Sequence, residues 1–261
     1  YIPEKVLEAT IAIKTEKVPS LGYTQYSVDT TSNSRAAMEK LSDLENEYYK
    51  ITVESDGSLT ILDKENGKIY DNQAILVENG DDGDSFNYSP PRDDLEVWST
   101  QAESHAVIRG NHIYAKADID FDMVIPKDLE ERASGKVSIH LPVRMTVALR
   151  KNSKVIDFNV HVDNRGLSHR LCVVFDSKIS SKFNFADQQF GSIRRPNYYE
   201  KEMKLYMQGL NHRTAEKAGI QELANWANDP SSWQAPPISI EPTQTYVSLT
   251  DEKTGIVVIP Q

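Results

Sequence analysis

Residues 78–91, here called the acidic loop, combine carboxylates, glycines and aromatic rings. Three aspartates and two glycines fall within five residues, Phe86 and Tyr88 follow, and a Pro-Pro pair ends the run. Carboxylates accept hydrogen bonds from hydroxyl groups, and aromatic rings cover the apolar C–H face of a pyranose. The composition therefore suits a sugar, which Asp82, Asp84, Phe86 and Tyr88 would contact. A solvated acidic turn is the simpler alternative.

A second candidate is Arg195, which lies between another arginine and a proline. The planar guanidinium fork binds carboxylates through two hydrogen bonds, and it also reaches sugar hydroxyls. A surface turn without a ligand is the alternative for this segment. We treat Arg195 as a candidate substrate-binding residue.

Metal-binding patterns are weak throughout the chain. Asp118, Asp120 and Asp122 alternate and share one strand face, but calcium needs six or more oxygens from converging segments. We therefore expect a solvated sheet face there. The six histidines and single cysteine form neither His-x-x-x-His nor Cys-x-x-Cys pairs, so no local zinc signature is present. We expect Cys172, in an apolar run, to be a buried structural thiol.

Strands of alternating polarity must position these residues. Residues 47–70 read as a β-meander, with a tight turn at Ser55-Asp56-Gly57. Further period-two runs predict strands at residues 74–77, 103–109, 113–124, 137–150, 155–162, 170–175, 245–249 and 255–259. Long antiparallel strands at this density predict an all-β fold, a large two-sheet sandwich with minor helices.

Two regions depart from this pattern. Residues 1–43 predict an N-terminal strand pair, near residues 6–13 and 23–28, followed by a polar linker. Residues 44–261 then form the sandwich domain. Thr214 is a possible N-cap for a helix extending to Ala227.

Composition narrows the function classes. The formal net charge is −10, which argues against nucleic acid and anionic membranes as partners. One cysteine allows no intrachain disulfide, which fits a cytoplasmic protein. The chain starts at Tyr1 and stops directly after a strand-like run, so we expect an excised piece, truncated at its C-terminus, of a longer polypeptide.

The sequence resembles the C-terminal half of glycoside hydrolase family 38, the retaining α-mannosidases, in its bacterial branch. The resemblance spans most of the chain and is strongest in the acidic loop with its Pro pair. The other segments that carry it are Val18-Pro19-Ser20-Leu21-Gly22-Tyr23, Leu44-Glu45-Asn46-Glu47-Tyr48-Tyr49, Val162-Asp163-Asn164, His169-Arg170-Leu171, and Gln189-Phe190-Gly191 before Arg195-Pro196.

This resemblance implies a division of labour. The family's catalytic zinc, carboxylate nucleophile and acid/base lie in a preceding barrel domain and helical bundle, which this chain lacks. The family's C-terminal sandwich supplies a wall of the active-site cleft. In animal relatives an aromatic from the corresponding loop contacts the mannose, and here that residue would be Phe86 or Tyr88. The implied partners are an α-mannoside and the protein's own N-terminal catalytic domain, with no cofactor bound by this fragment. His169 is expected to have a structural hydrogen-bonding role.

Three functions remain open at this point. The first is a non-catalytic sandwich domain of an α-mannosidase-type hydrolase, inactive on its own. The second is a stand-alone carbohydrate-binding or structural module. The third is a sugar epimerase of the mutarotase type, because galactose-mutarotase-like proteins also use such supersandwiches. It would need a His and a Glu facing each other in one pocket, and no sequence motif marks such a pair. Whether the chain forms a homo-oligomer stays open.

Overall fold

The computed structural model describes residues 15, 18, 20–27, 38–83, 88–201, 243–251 and 253–260. Within these residues the chain is mostly β-strand, and contacts divide it into two compact units, Tyr1–Asp176 and Ser177–Gln261. None of the helices in this described part is long and apolar enough to cross a membrane.

Eleven strands lie in the described residues of the first unit. They are β1 (Glu39–Lys40), β2 (Leu44–Glu45), β3 (Tyr49–Val53), β4 (Leu59–Asp63), β5 (Ile69–Gly80), β6 (Val97–Trp98), β7 (Glu103–Gly110), β8 (Tyr114–Ile125), β9 (Ile139–Arg150), β10 (Ile156–Val162) and β11 (His169–Phe175). A single 3-10 turn covers Ser99–Gln101, and the short helix α1 covers Leu129–Ala133.

These strands form two antiparallel sheets. The first sheet has the order β1-β7-β8-β9-β10, and the second has the order β11-β5-β4-β3-β2, with β6 also paired to β5. Along β8 and β9 every second side chain is buried, because successive residues of a strand point to opposite faces. Both sheets contribute fully buried residues to the core: Leu44, Ile51, Leu59, Leu76, Ile119, Met123, Leu141 and Met145. The predicted all-β sandwich is confirmed.

The strand boundaries follow the sequence pattern closely except in β5. The two short strands predicted around residues 69 and 75 are one continuous strand. Its pairing register with β4 shifts between Leu59 and Ile61, and Asn72 and Ala74 have positive φ angles of 55° and 59°. Such an irregularity lets a strand bend without ending.

β5 is also longer than predicted. It ends at Gly80, whereas the sequence pattern predicted an end before Glu78. The acidic loop therefore starts only at Asp81. Strand structure persists through Glu78 and Asn79 because both polar side chains are buried and have partners, described below.

The part of the second unit that the structure describes forms an antiparallel sheet of four strands. These are β12 (Phe183–Gln188), β13 (Gly191–Pro196), β14 (Val247–Thr250) and β15 (Gly255–Val258), in the order β13-β12-β14-β15. The hairpin predicted at the end of the chain is confirmed as β14 and β15. The strands β12 and β13 were not predicted, and the helix predicted from Thr214 lies outside the described residues.

The N-terminal predictions are only partly covered by the structure. The first strand of the predicted pair lies outside the described residues, and residues 23–27 of the second form no strand. Within the predicted polar linker, β1 pairs with β7, with Glu39 opposite Gly110.

Two glycines allow a test of how tightly the β3–β4 turn is packed. Gly57 lies in that turn, and Gly67, in the turn between β4 and β5, is the comparison. Gly57 has a φ of 81°, and a Cβ there would lie 2.4 Å from Phe121 Cε1. Gly67 has a similar φ of 73°, but a Cβ there would have nothing within 4 Å. Gly67→Ala should lower the free energy of unfolding by about 1 kcal/mol through backbone strain alone. Gly57→Ala should cost ~1–3 kcal/mol more, because the core side chain must also move.

Urea denaturation of both variants and the wild-type chain measures this difference. Equal losses in the two variants would show that Phe121 yields freely and that the turn is not packed against the first sheet.

Candidate functional site

Pairing between β5 and β11 brings together the ends of two separated sequence segments. Asn79 lies opposite Arg170, and Gly80 lies opposite His169. Beyond this pair the chain continues, because the Asp81 amide donates to the Ser168 carbonyl at 2.9 Å. The acidic loop therefore leaves the second sheet beside the His-Arg-Leu segment.

Buried charges lie directly beneath the start of the loop. Glu78 is 0% exposed and Arg132 is 2% exposed. Arg132 projects from α1, and its Nη2 donates to Glu78 Oε1 while its Nη1 donates to the Leu95 carbonyl and lies 3.3 Å from Asp94 Oδ1. Desolvated charges are stable only when paired and hydrogen-bonded. These contacts fasten α1 and the segment before β6 to the end of β5.

His169 lies beside this buried ion pair, so Glu78, Arg132 and His169 form a buried polar cluster. Its Nδ1 lies 3.1 Å from Glu78 Oε1, although without hydrogen-bond geometry, and its Nε2 lies 2.9 Å from Asn164 Oδ1. The structural hydrogen-bonding role expected for His169 is confirmed. The His169 side chain is 4% exposed, so this His–Glu pair has no open pocket in which to act as an epimerase acid and base.

The helix that carries Arg132 is held by a capping arrangement. Asp128 caps α1 by accepting from the Glu131 amide at 3.1 Å. In return, the Glu131 carboxylate accepts from the Lys127 amide at 3.0 Å, from Lys136 Nζ at 2.5 Å and from the Ser138 hydroxyl. These donors, Lys136 foremost, lower the pKa of Glu131 to about 2, because they stabilise the charged form.

The outgoing limb of the acidic loop, residues 81–83, is hydrogen-bonded to the returning limb, residues 88–91. Asp81 Oδ1 accepts from the Gly83 amide at 2.9 Å and from the Ser89 amide at 3.0 Å. The Asp82 amide donates to the Ser89 carbonyl at 2.8 Å. Asp81 thus shapes the loop, while Asp82 is exposed at the end of the sheet.

Tyr88 lies on the returning limb and is half-buried. The guanidinium carbon of Arg170 lies 3.5 Å from the centre of its ring, and Arg170 Nε donates to Asn79 Oδ1 at 2.8 Å. Burial raises the pKa of the Tyr88 phenol, and Arg170 opposes that shift. The phenol therefore stays protonated at neutral pH and can both donate and accept a hydrogen bond.

Not all of the predicted site residues fall in this area. Asp84 and Phe86 lie outside the described residues. Arg195 is in the second unit, half-buried on β13 opposite Asn184, so the surface turn considered for it is wrong. Arg132 and Glu78 were missed, although Asp128-x-x-Glu131 is a recognisable capping signal for the helix that carries Arg132.

The remaining candidates have ordinary roles. Asp118, Asp120 and Asp122 pair across strands with Thr146, Arg144 and His140, which confirms the polar sheet face. Cys172 is half-buried rather than fully buried. Among the described residues, no group of three or more His, Cys, Asp or Glu side chains is arranged to hold a metal ion.

A polar cleft of about 380 Å³ lies at the opposite end of the strands, near Asn46, Asn111 and Lys151. Asn46 there binds the Arg150 and Ser153 carbonyls and the Tyr48 and Tyr49 amides. That side chain has all its hydrogen-bonding capacity in use, so it acts as a structural brace for the turns.

Removing the Arg132 side chain should destabilise the protein strongly. Arg132→Ala leaves the Glu78 carboxylate buried without its partner, so the free energy of unfolding should fall by ~3–5 kcal/mol. Urea denaturation measures this loss. The control is Arg150→Ala, because Arg150 pairs with Asp157 at 2.7 Å while both side chains are largely exposed, and such pairs contribute ~0–1 kcal/mol. A similar, small loss in both variants would mean that Glu78 is not held by this pair.

The Glu131 contacts predict an acid-dependent stability. Because the folded pKa of about 2 lies below the ordinary glutamate value of 4.5, the ionised carboxylate stabilises the fold above pH 4.5, and this contribution is lost as the pH falls from 4.5 towards 2. Glu131→Gln should therefore lower Tm at pH 7, and the gap to wild type should close below pH 4.5. Thermal denaturation across that range checks it, with the exposed neighbour Glu130→Gln as control. A gap that stays constant with pH would contradict the assignment.

Comparison with known proteins places these features in a family. Residues 44–261 match the glycosyl hydrolases family 38 C-terminal domain. The chain is 25% identical over 171 residues to a putative mannosylglycerate hydrolase of Halalkalibacterium halodurans, covering 59% of this chain and 19% of that protein.

Two solved structures share the fold. An α-mannosidase from Enterococcus faecalis V583 superposes with a TM-score of 0.64 at 19% identity, covering 84% of this chain and 23% of that one. A glycosyl hydrolase family 38 protein from Enterococcus faecalis gives a TM-score of 0.62 at 18% identity, covering 90% and 26%. This chain spans about a fifth to a quarter of the length of these proteins. Since the family match covers most of the chain, the protein belongs to glycoside hydrolase family 38 and carries its C-terminal domain.

Proposed function

We propose that this domain lines the sugar-binding cleft of a retaining α-mannosidase and does not itself catalyse hydrolysis. Family membership supports the hydrolase context, and the names of the similar proteins, an α-mannosidase and a putative mannosylglycerate hydrolase, favour a mannose-containing substrate. Retaining hydrolysis needs two carboxyl groups ~5–5.5 Å apart across the glycosidic bond. In the described part of the acidic loop, Asp81 is occupied by backbone amides, which argues against such a pair there.

The fastened acidic loop is the observation that carries this proposal. It presents the exposed Asp82 carboxylate and the Tyr88 ring from one end of a rigid sandwich. Functional residues are often placed on loops that a stable scaffold holds in position. A carboxylate that accepts from hydroxyls, beside a ring that covers a C–H face, is a typical arrangement for a pyranose.

The remaining parts of the proposal follow from the family resemblance. The catalytic carboxylates and a zinc ion belong to an N-terminal catalytic domain of the same polypeptide, and this domain needs no cofactor. Asp84 and Phe86 complete the proposed sugar-binding set of the loop, and Arg195, on β13 of the second unit, is a separate candidate substrate-binding residue. We place the protein in the cytoplasm, in mannose metabolism.

The test compares the chain alone with the chain joined to its catalytic domain. The chain alone should not hydrolyse an aryl α-mannoside, whereas the joined protein should. In the joined protein, Tyr88→Ala and Asp82→Asn should each lower kcat/KM roughly tenfold to a hundredfold, mainly through KM, because contacts worth ~1.5–3 kcal/mol are lost.

Tyr48→Ala is the matched control, since the Tyr48 ring also has a cation over it, Lys154 at 5.0 Å, but at the opposite end of the sandwich. Turnover by the isolated chain would contradict a non-catalytic role. Unchanged kinetics in both loop variants, with sugar binding retained by the isolated chain, would favour a stand-alone carbohydrate-binding module.

A further inference from the structure

We propose that Arg170 is a positioning residue that fixes the Tyr88 ring for one face of a single pyranose. This inference rests on the proposed function, because it names the residue that orients the sugar-contacting ring. Arg170 is assigned no contact with the sugar.

Arg170 is itself held rigidly. It lies on β11 directly opposite Asn79 of β5, and its Nε donates to Asn79 Oδ1 at 2.8 Å. Asn79 is only 7% exposed, so this acceptor sits in a protected position between strands. The pairing of two strands therefore fixes where the guanidinium plane lies.

Tyr88 is then fixed at two points. Its backbone neighbour Ser89 bonds to both Asp81 and Asp82, and its ring lies on the Arg170 guanidinium at 3.5 Å. Without the stack, the ring of a loop tyrosine would explore several rotamers, and ordering it on binding would weaken affinity. The stack thus places the ring before the sugar arrives.

The same stack limits what Tyr88 can bind. One face of the ring is covered by the guanidinium, so a C–H surface can stack only on the opposite face. Tyr88 can therefore stack on one pyranose and cannot be sandwiched between two sugar units.

Lysine should not replace arginine in this role. A planar guanidinium can stack on a ring while its Nε donates in its own plane, whereas an ammonium is a point charge on a flexible stem. Arg170→Lys therefore keeps the positive charge and removes the planar group that stacks on the Tyr88 ring. The variant thus separates the effect of charge from the effect of stacking.

The first experiment uses the chain alone and does not depend on sugar hydrolysis. In NMR spectra, the Arg170 Nε–H and side-chain protons should be shifted upfield by the Tyr88 ring current, and Tyr88→Leu should abolish this shift. Arg170 signals that are the same in both proteins would overturn the inference. Thermal denaturation should show that Arg170→Lys and Arg170→Gln remain folded.

The second experiment is a double-mutant cycle in the protein that includes the catalytic domain, assayed with an aryl α-mannoside. Arg170→Lys should raise KM roughly three- to tenfold with kcat little changed, consistent with the strength of such stacks. In the Tyr88→Ala background it should add almost nothing, because the ring it positions is gone. Lys154→Gln, with and without Tyr48→Ala, is the control cycle and should leave KM unchanged.

The outcomes separate this inference from the proposed function. If Tyr88→Ala raises KM but Arg170→Lys does not, or if the two effects add, the positioning role is overturned while the sugar-binding role of Tyr88 stands. If Tyr88→Ala has no effect although the NMR shift is present, the proposed function fails and the inference fails with it.

Discussion

The buried ion pair between Glu78 and Arg132 is the constraint around which this end of the molecule is organised. A carboxylate with no exposed surface must be neutralised and hydrogen-bonded, or the fold would lose several kcal/mol. Glu78 belongs to β5, which is flanked by β6 and β11 at this point, whereas Arg132 belongs to the helix that connects β8 and β9 of the first sheet. One side-chain contact therefore links both sheets of the sandwich through α1.

The position of the acidic loop depends on this ion pair through contacts between neighbouring residues. A shift of β5 by one residue would turn Glu78 away from Arg132, because strand side chains alternate between faces. The register of β5 with β11 sets Asn79 opposite Arg170, and Arg170 carries the Tyr88 ring. The buried charges and the half-buried aromatic ring are thus connected within a few residues of the same strand pair.

The sequence predicted the elements whose signal is local. Alternating polarity marks β8 and β9 because one face is core and the other is solvent. β12 escaped prediction because Asn184 and Asp187 are disfavoured in strands. The length of β5 was also underestimated, because Glu78-Asn79-Gly80 is a turn-like composition that only distant partners make compatible with a strand.

At the candidate site, too, the sequence predicted features that neighbouring residues determine and missed contacts between residues far apart in the chain. Acidic residues beside aromatic rings indicated the loop, and the structure adds how Asp81 fastens it. The stack of Arg170 on Tyr88 joins residues 82 positions apart, so no local pattern could have predicted it. In the function we propose, this domain would contribute to specificity without taking part in catalysis. It would present one ring face and one carboxylate from the end of the sandwich, so a sugar of the wrong shape would leave the carboxylate or the ring unmatched.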